Sequence, residues 1–163
     1  MRATLANLAR YWLPVILWFL VISIFSTAVF SGSLTLILLD RLLRWLIPDI
    51  ARTTVWLIHG VLRKTAHFVE FFVLGLLIYR AFRRDRAQPW RLTWALLSCA
   101  LAGGLALLDE FHQLFVLGRV GSLADSGLDS AGALAAMVLL YARAYFQSSA
   151  IKNVAMSETL AEK

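Results

Sequence analysis

A dense group of polar and ionisable side chains lies between two long apolar stretches of this sequence. Segment 109–129 contains Asp109, Glu110, His112, Gln113, Arg119, Asp125 and Asp129. Ionisable groups beside hydrocarbon are costly unless they face one another, water or a ligand. Because apolar residues flank the group on both sides, we interpret this segment as part of the candidate functional site.

A second polar group lies upstream, at the start of another apolar run. Lys64, His67 and Glu70 follow one another at three-residue spacing, which places them on adjoining faces of a helix. Glu70 would lie about 9 Å along the axis from Lys64 at about 1.5 Å per residue. A carboxylate at that depth is expected to face other helices instead of lipid.

These side chains suit an anionic ligand or proton transfer. Arg63, Lys64 and Arg119, together with the N-terminal end of a helix predicted to begin near Ser122, favour an anion. Carboxylates could hold a divalent cation or act as a general base, and histidine could exchange protons near neutral pH. The candidate catalytic residues are Glu70, Glu110 and His67. The candidate ligand-binding residues are Lys64, His67, Asp109, Glu110, Gln113, Arg119, Asp125 and Asp129.

A purely structural role is the alternative for each of these residues. Buried cations and carboxylates also pair with one another and fix how helices pack, without doing chemistry. Glu110 with Arg119, and His67 with Glu70, could be pairs of this kind. Asp125 has a local explanation, since Ser122-Leu123-Ala124-Asp125 resembles a helix capping box. No spacing here is diagnostic of a metal, so a divalent cation stays an open alternative.

The composition is that of an integral membrane protein. Of the 163 residues, 60% are hydrophobic and 16% are charged, which lies outside the usual balance of a soluble domain. Cys99 is the single cysteine, so the chain has no internal disulfide. The net charge is +6, but the basic run 80–91 joins two apolar stretches. We interpret that run as a cytoplasmic loop and expect no binding of nucleic acid.

Four apolar stretches approach the length that a membrane-spanning helix needs. They cover about residues 12–30, 63–82, 92–108 and 122–146. Segment 34–47 is too polar to span, because Asp40, Arg41 and Arg44 interrupt its leucines. It suits an amphipathic helix in the membrane interface. That helix could be a simple anchor or a lid over the candidate site. The sequence therefore predicts an all-α membrane bundle of four transmembrane helices, with an interfacial helix between the first and the second.

The chain termini are predicted to be cytoplasmic. Placing the arginine-rich connection on the cytoplasmic side of the inner membrane puts the polar groups of segments 64–70 and 109–129 at its outer side. The first span could instead be a cleavable signal ending at Ser26-Thr27-Ala28, but its long apolar core favours an uncleaved anchor. Residues 1–146 would form the transmembrane domain, and residues 147–163 a loosely ordered, polar cytoplasmic tail. Gly127, Ala131 and Ala135 predict the packing stripe of the last span.

Three short motifs between residues 63 and 142 combine polar residues with glycines. They are Lys64-x-x-His67-x-x-x-Phe71-x-x-Leu74-Gly75, then Asp109-Glu110-x-x-Gln113 followed by Gly118-Arg119, then Asp125-x-x-x-Asp129 with Gly132. In this combination the chain resembles the VanZ-like family of small bacterial membrane proteins. Two residues depart from the family pattern: Leu117 stands where proline is expected, and Asp129 stands where asparagine is common. Asp129 thereby adds a charge whose partner the sequence does not identify.

The resemblance implies where the protein lies and which cellular process it belongs to, but it does not imply an established reaction. It implies a multi-span protein of the bacterial cell envelope, and the family's namesake is linked to reduced sensitivity to the glycopeptide antibiotic teicoplanin. It also implies a site made of Lys64, His67, Glu110, Gln113, Arg119 and Asp125. We predict an outward-facing polar pocket that binds an anionic lipid headgroup or a cell-wall precursor, with membrane lipids as partners. The alternative is a membrane enzyme that hydrolyses or transfers a phosphorylated polyprenyl or glycerolipid at the outer leaflet.

Overall fold

The computed structural model describes residues 2–27, 32–116 and 122–161 of the chain. Within these ranges the secondary structure consists of α-helices, and no strand occurs there. The helices are α1 (Arg2–Phe25), α2 (Gly32–Leu46), α3 (Arg52–Arg83), α4 (Leu92–Gln113) and α5 (Leu123–Ala161). The predicted all-α class is confirmed for this part of the chain.

Three helices of the described part are long and apolar enough to cross a membrane. Their apolar segments are Leu8–Phe25 in α1, Leu92–Gln113 in α4 and Leu123–Ala150 in α5. These segments match the hydrocarbon thickness of a bilayer and indicate a multi-pass membrane protein. The predicted second span, in α3, is not among them, and the N-terminal half of α3 carries three basic residues and two histidines. The fourth span therefore stays a prediction.

Helix α3 is the central element of the bundle. It packs against each of the other four helices, and most extensively against α5. Its 32 residues extend over about 48 Å. It begins at Arg52 instead of near residue 63, because segment 53–61 continues straight into the apolar stretch instead of prolonging α2. Pro48 follows the end of α2, since proline cannot continue the hydrogen bonding of a helix.

The core forms where α3 meets small side chains of its neighbours. Phe71, Leu74 and Ile78 of α3 are fully buried. They pack with a cluster to which α1 contributes Tyr11, Val15 and Ile22, α4 contributes Ala102 and Ala106, and α5 contributes Ala133. The alanines let the backbones of α4 and α5 approach α3 closely, as is usual in membrane bundles.

Helix α5 approaches the backbone of α3 closely at Gly132. A Cβ atom added to Gly132 would collide with the backbone oxygen of Phe68 and would lie 3.1 Å from the amide nitrogen of Phe72. Further along the same contact, a Cβ atom on Gly75 would lie 3.1 Å from the Cα atom of Ala133. Glycine is therefore required at position 132, because backbone atoms, unlike side chains, cannot change rotamer to make room for a Cβ atom.

The predicted packing stripe of α5 is wrong. Gly127 and Ala131 are exposed, and Ala135 is only half-buried. The buried face consists of Ser126, Asp129, Gly132, Ala133, Ala136 and Met137. Small residues occur on several sides of this helix, so their four-residue spacing does not identify the side that packs.

Helix α5 continues through the predicted polar tail. It ends at Ala161, so residues 147–161, which were expected to be loosely ordered, are helical. Segment 147–161 contains neither glycine nor proline, the residues that most disfavour a helix. The segment of α5 that is apolar enough to cross a membrane ends at Ala150, and the helix continues beyond it to Ala161.

Candidate functional site

A groove between α2 and α3 encloses a cavity of about 530 Å³. Its walls are mostly apolar, with Leu38, Leu39 and Leu42 contributed by α2 and Leu62 and Ala66 by α3. The volume lies within the range of about 300–1,000 Å³ that is typical of small-molecule sites. Because α2 forms one wall, the segment predicted as an interfacial anchor or lid also shapes this cavity.

Polar side chains of α3 line the same groove. They are His59, Arg63, His67 and Glu70. Near the other wall, the Oγ1 atom of Thr35 in α2 lies 2.9 Å from the Nε2 atom of His59, within hydrogen-bond distance. The groove thus combines an apolar trough with a cation, two imidazoles and a carboxylate. That combination suits an amphiphilic ligand.

His67 links the groove to a buried carboxylate of α5. Its Nδ1 atom lies 3.7 Å from Oδ1 of Asp129 and 4.0 Å from Oε2 of Glu70. Asp129 is 0% exposed, and neither of its carboxylate oxygens has a hydrogen-bond partner among the described residues. A buried carboxylate needs a cation or a proton to offset its desolvation. The imidazole of His67 is placed to supply either, and it is the partner that the sequence did not identify.

Asp109 connects the end of α1 to the end of α4. Its Oδ2 atom accepts a hydrogen bond from Oγ of Ser26 at 2.8 Å and another from Nε2 of Gln113 at 2.9 Å. All three side chains are buried. Oδ1 of Asp109 and Oε1 of Gln113 have no hydrogen-bond partner among the described residues. Asp109 therefore acts as a buried tether between the two helices.

Replacing Ser26 with alanine is expected to destabilise the protein by about 2 kcal/mol, because it removes a donor from a buried carboxylate. The melting temperature in detergent, followed by circular dichroism, should fall by about 4–8 °C. Ser23→Ala is the matched control, since the hydroxyl of Ser23 bonds only within its own helix, to the carbonyl of Phe19. Equal melting temperatures for the two variants would contradict the tether.

Glu110 accepts a hydrogen bond at the N-terminus of α5. The backbone amide of Ser122, the residue before α5, donates to Oε2 of Glu110 at 2.7 Å. A capping box would assign this amide to Asp125, which lies half-buried in the first turn of α5. A carboxylate at this position is favoured by the partial positive charge of a helix N-terminus. Glu110 thus has a structural role that holds α4 and α5 together.

The structure brings together polar residues that are distant in the sequence. Four carboxylates lie close enough to Asp129 for their negative charges to repel its own. They are those of Glu70, Asp109, Glu110 and Asp125. Arg63 lies close enough to Glu110 for its positive charge to attract that carboxylate. No group of three or more histidine, cysteine or acidic side chains within residues 2–27, 32–116 and 122–161 is arranged to hold a metal ion.

Three of the polar residues singled out in the sequence stand apart from this group. Lys64 is exposed and does not line the groove, whereas its neighbour Arg63 does, because successive residues of a helix point about 100° apart. His112 is exposed while Glu110 and Gln113 are buried, because a helix places residues three apart on one side and the residue between them on another. Arg119 lies outside the described residues, so its role stays a prediction.

Sequence reasoning missed Ser26 as a member of the site. Within the sequence Ser26 belongs to a small-residue segment that resembles a cleavage site. No periodicity links it to Asp109, which lies 83 residues further along the chain. A lone serine near the end of an apolar helix is the only signal that the sequence offers.

A family model described as VanZ/LLP1 matches residues 11–145 of the chain. The matched range begins in α1 and ends in α5, and it includes the groove, the pair formed by His67 and Asp129, and the tether at Asp109. The comparison confirms the resemblance that the motifs indicated. No curated protein and no solved structure matches the chain.

Proposed function

This chain belongs to the VanZ/LLP1 family, and on that premise we propose that its groove binds an anionic lipid headgroup or a lipid-linked cell-wall precursor. The protein would lie in the bacterial cytoplasmic membrane with both termini in the cytoplasm. In that arrangement α3 is a fourth span, and the groove opens to the outer side. A ligand held there would change the composition of the envelope or the access of glycopeptide antibiotics to it.

The observation that carries this proposal is the pairing of an apolar trough with Arg63 in one cavity. Leucines of α2 and α3 form the trough, and burying an acyl chain against them is favourable in proportion to the apolar area that is covered. Arg63 is half-buried in the same wall. A guanidinium group binds phosphate through two parallel hydrogen bonds. A phospholipid or a phosphorylated polyprenyl presents this combination of tail and charge.

Replacing Arg63 with glutamine is expected to weaken the binding of phosphatidylglycerol about tenfold or more, since a charge-assisted contact is lost. Native mass spectrometry of the detergent-purified protein, titrated with this lipid, measures the change. Lys64→Gln removes the same charge from the next residue, which is exposed and outside the groove, and should have a much smaller effect. Equal weakening by the two variants would count against the groove as the binding site.

A membrane enzyme is the second candidate function, and the contact between His67 and Asp129 favours it. A histidine hydrogen-bonded to a buried carboxylate is a common arrangement for a general base. The distance of 3.7 Å between Nδ1 of His67 and Oδ1 of Asp129 would have to shorten to form that bond. His67 also lines the groove, where it could take a proton from a water molecule or a hydroxyl group beside a bound phosphate. Glu70 lies 4.0 Å from the same imidazole nitrogen and is the alternative proton carrier. Glu110 remains a catalytic candidate beside its structural role.

Turnover of phosphorylated polyprenyl or glycerolipid by the purified protein tests the enzyme. The assay should be run with and without a divalent metal, and with the His67→Gln variant. The enzyme hypothesis requires a product that disappears with His67→Gln. It also requires activity to fall in Glu110→Gln if Glu110 takes part in the chemistry, because glutamine keeps an acceptor for the amide of Ser122 and preserves the contact between helices. Absence of product from every lipid leaves binding as the function.

A further inference from the structure

A second cleft lies between α2 and the N-terminal part of α3, separate from the groove. Its volume is about 300 Å³, and it shares no lining residue with the groove. Four of its lining residues are charged, namely Asp40, Arg41 and Arg44 of α2 and Arg52 of α3. Three cations against one carboxylate leave an excess of positive charge in this cleft.

The one carboxylate is already engaged. The Nε atom of Arg44 lies 3.0 Å from both carboxylate oxygens of Asp40, four residues earlier on the same helix. The side chains of Arg41 and Arg52 form no ion pair and no hydrogen bond with any residue that the structure describes. Both are exposed at the cleft. Two guanidinium groups from different helices are thus available to a single anion.

Exposed tryptophans beside this cleft are typical of residues that lie at a membrane interface. Trp56 lines the cleft and is 63% exposed, and Trp45, one residue after Arg44, is 79% exposed. Tryptophan is enriched at membrane interfaces, because its ring is apolar while its N–H group needs a polar partner. Leu36 and Ile37 line the same cleft and offer an apolar surface to the first part of an acyl chain. The anion that a cleft at a membrane interface would meet is the phosphate group of a lipid.

We propose that this cleft is a second anion site, which holds the phosphate group of an anionic membrane lipid between Arg41 and Arg52. Each guanidinium contributes a pair of parallel donors to the phosphate oxygens. The bound lipid joins α2 to α3 at the interface and gives the two arginines a partner that none of the described residues supplies. This site rests on residues that the groove does not use, so it stands independently of the function proposed for the groove.

The test measures phosphatidylglycerol bound to the full chain in the Arg63→Gln background, in which binding at the groove is weakened. Adding Arg41→Gln and Arg52→Gln together is expected to weaken the remaining binding about tenfold or more, since two basic contacts to the headgroup are lost. The charge-matched control adds Arg84→Gln and Arg143→Gln instead. Both control residues are exposed, Arg84 follows the other end of α3, and neither lines the cleft. The control should bind as the background does.

Two further arms distinguish the source of the phosphate. Phosphatidylcholine, which carries phosphate without net negative charge, should be retained more weakly than phosphatidylglycerol. Inorganic phosphate should not displace phosphatidylglycerol, because it lacks the acyl chain that packs on Leu36 and Ile37. Equal retention of the two lipids, displacement by inorganic phosphate, or an equal loss in the control variant would each overturn the proposal. Unchanged binding in the Arg41 and Arg52 variant would overturn it as well, and would leave the groove proposal untouched.

Discussion

Replacing Gly132 with alanine is expected to lower the stability of the bundle by about 3 kcal/mol, at the upper end of what overpacking costs. The added methyl group would collide with the backbone oxygen of Phe68. A backbone oxygen has no rotamer to change, so α5 must move away from α3 as a body. The melting temperature in detergent should fall by about 6–12 °C.

Gly127→Ala is the matched control on the same helix. Gly127 is exposed, and an added Cβ atom there has nothing within 4 Å. Alanine favours a helix over glycine by about 1 kcal/mol, so this variant should be as stable as the original protein or slightly more stable. Equal melting temperatures for the Gly132→Ala and Gly127→Ala proteins would contradict the close contact between α3 and α5.

The same substitution should affect the site. Phe68 is the neighbour of His67, and Gly132 follows Asp129 by three residues on α5. Moving α5 away from α3 at this contact would lengthen the distance of 3.7 Å between Nδ1 of His67 and Oδ1 of Asp129. The glycine therefore sets the distance between the two residues as well as the packing of the helices.

Replacing Asp129 with asparagine is expected to separate stability from function. The carboxylate is fully buried and lacks hydrogen bonds among the described residues, so removing its charge should leave the melting temperature unchanged or raise it by several degrees. The imidazole of His67 loses the carboxylate that lies 3.7 Å from its Nδ1 atom. Lipid binding or turnover at the groove should therefore weaken while the fold is retained.

A double-mutant cycle measures this coupling. His67→Gln, Asp129→Asn and the double variant are compared in the phosphatidylglycerol titration, and the two residues should couple by about 1 kcal/mol or more. Val69→Ala serves as a control in place of His67→Gln, because Val69 is exposed and lies outside the groove. Additive effects of His67→Gln and Asp129→Asn, or a large loss of stability in Asp129→Asn, would show that the pair does not act as a unit.

Contacts within one helix could be predicted from the sequence. The depth of Glu70 along its helix predicted that this carboxylate would face other helices, and it is half-buried. Glu110 and Gln113 lie one turn apart and are both buried, whereas Lys64, which has the same three-residue spacing as His67 and Glu70, is exposed. The same periodicity places His112 on another side of α4, where it is exposed. Helical geometry fixes these directions without reference to the rest of the chain.

Contacts between helices could not be predicted in the same way. Ser26 reaches Asp109, and His67 reaches Asp129, across large distances in the sequence. The choice of packing face on α5 depends on which small residues meet α3, and the sequence offers several small residues on different sides of that helix. The sequence underestimated the length of α3. Its N-terminal half carries polar residues, which indicate a surface segment as long as the contact with α2 is not known.

The central claim is that a lipid lies in the groove between α2 and α3, with its phosphate at Arg63. Cross-linking with a photoreactive phosphatidylglycerol analogue that carries its reactive group on the acyl chain, followed by peptide mapping, tests this claim most directly. Labels are predicted on segments 38–42 and 62–66, and they should be lost in Ala66→Phe, which fills the groove, but kept in Val69→Phe, which changes an exposed residue outside it. The claim would be contradicted if the labels were spread evenly over the exposed apolar faces of α1, α4 and α5 and did not change in Ala66→Phe.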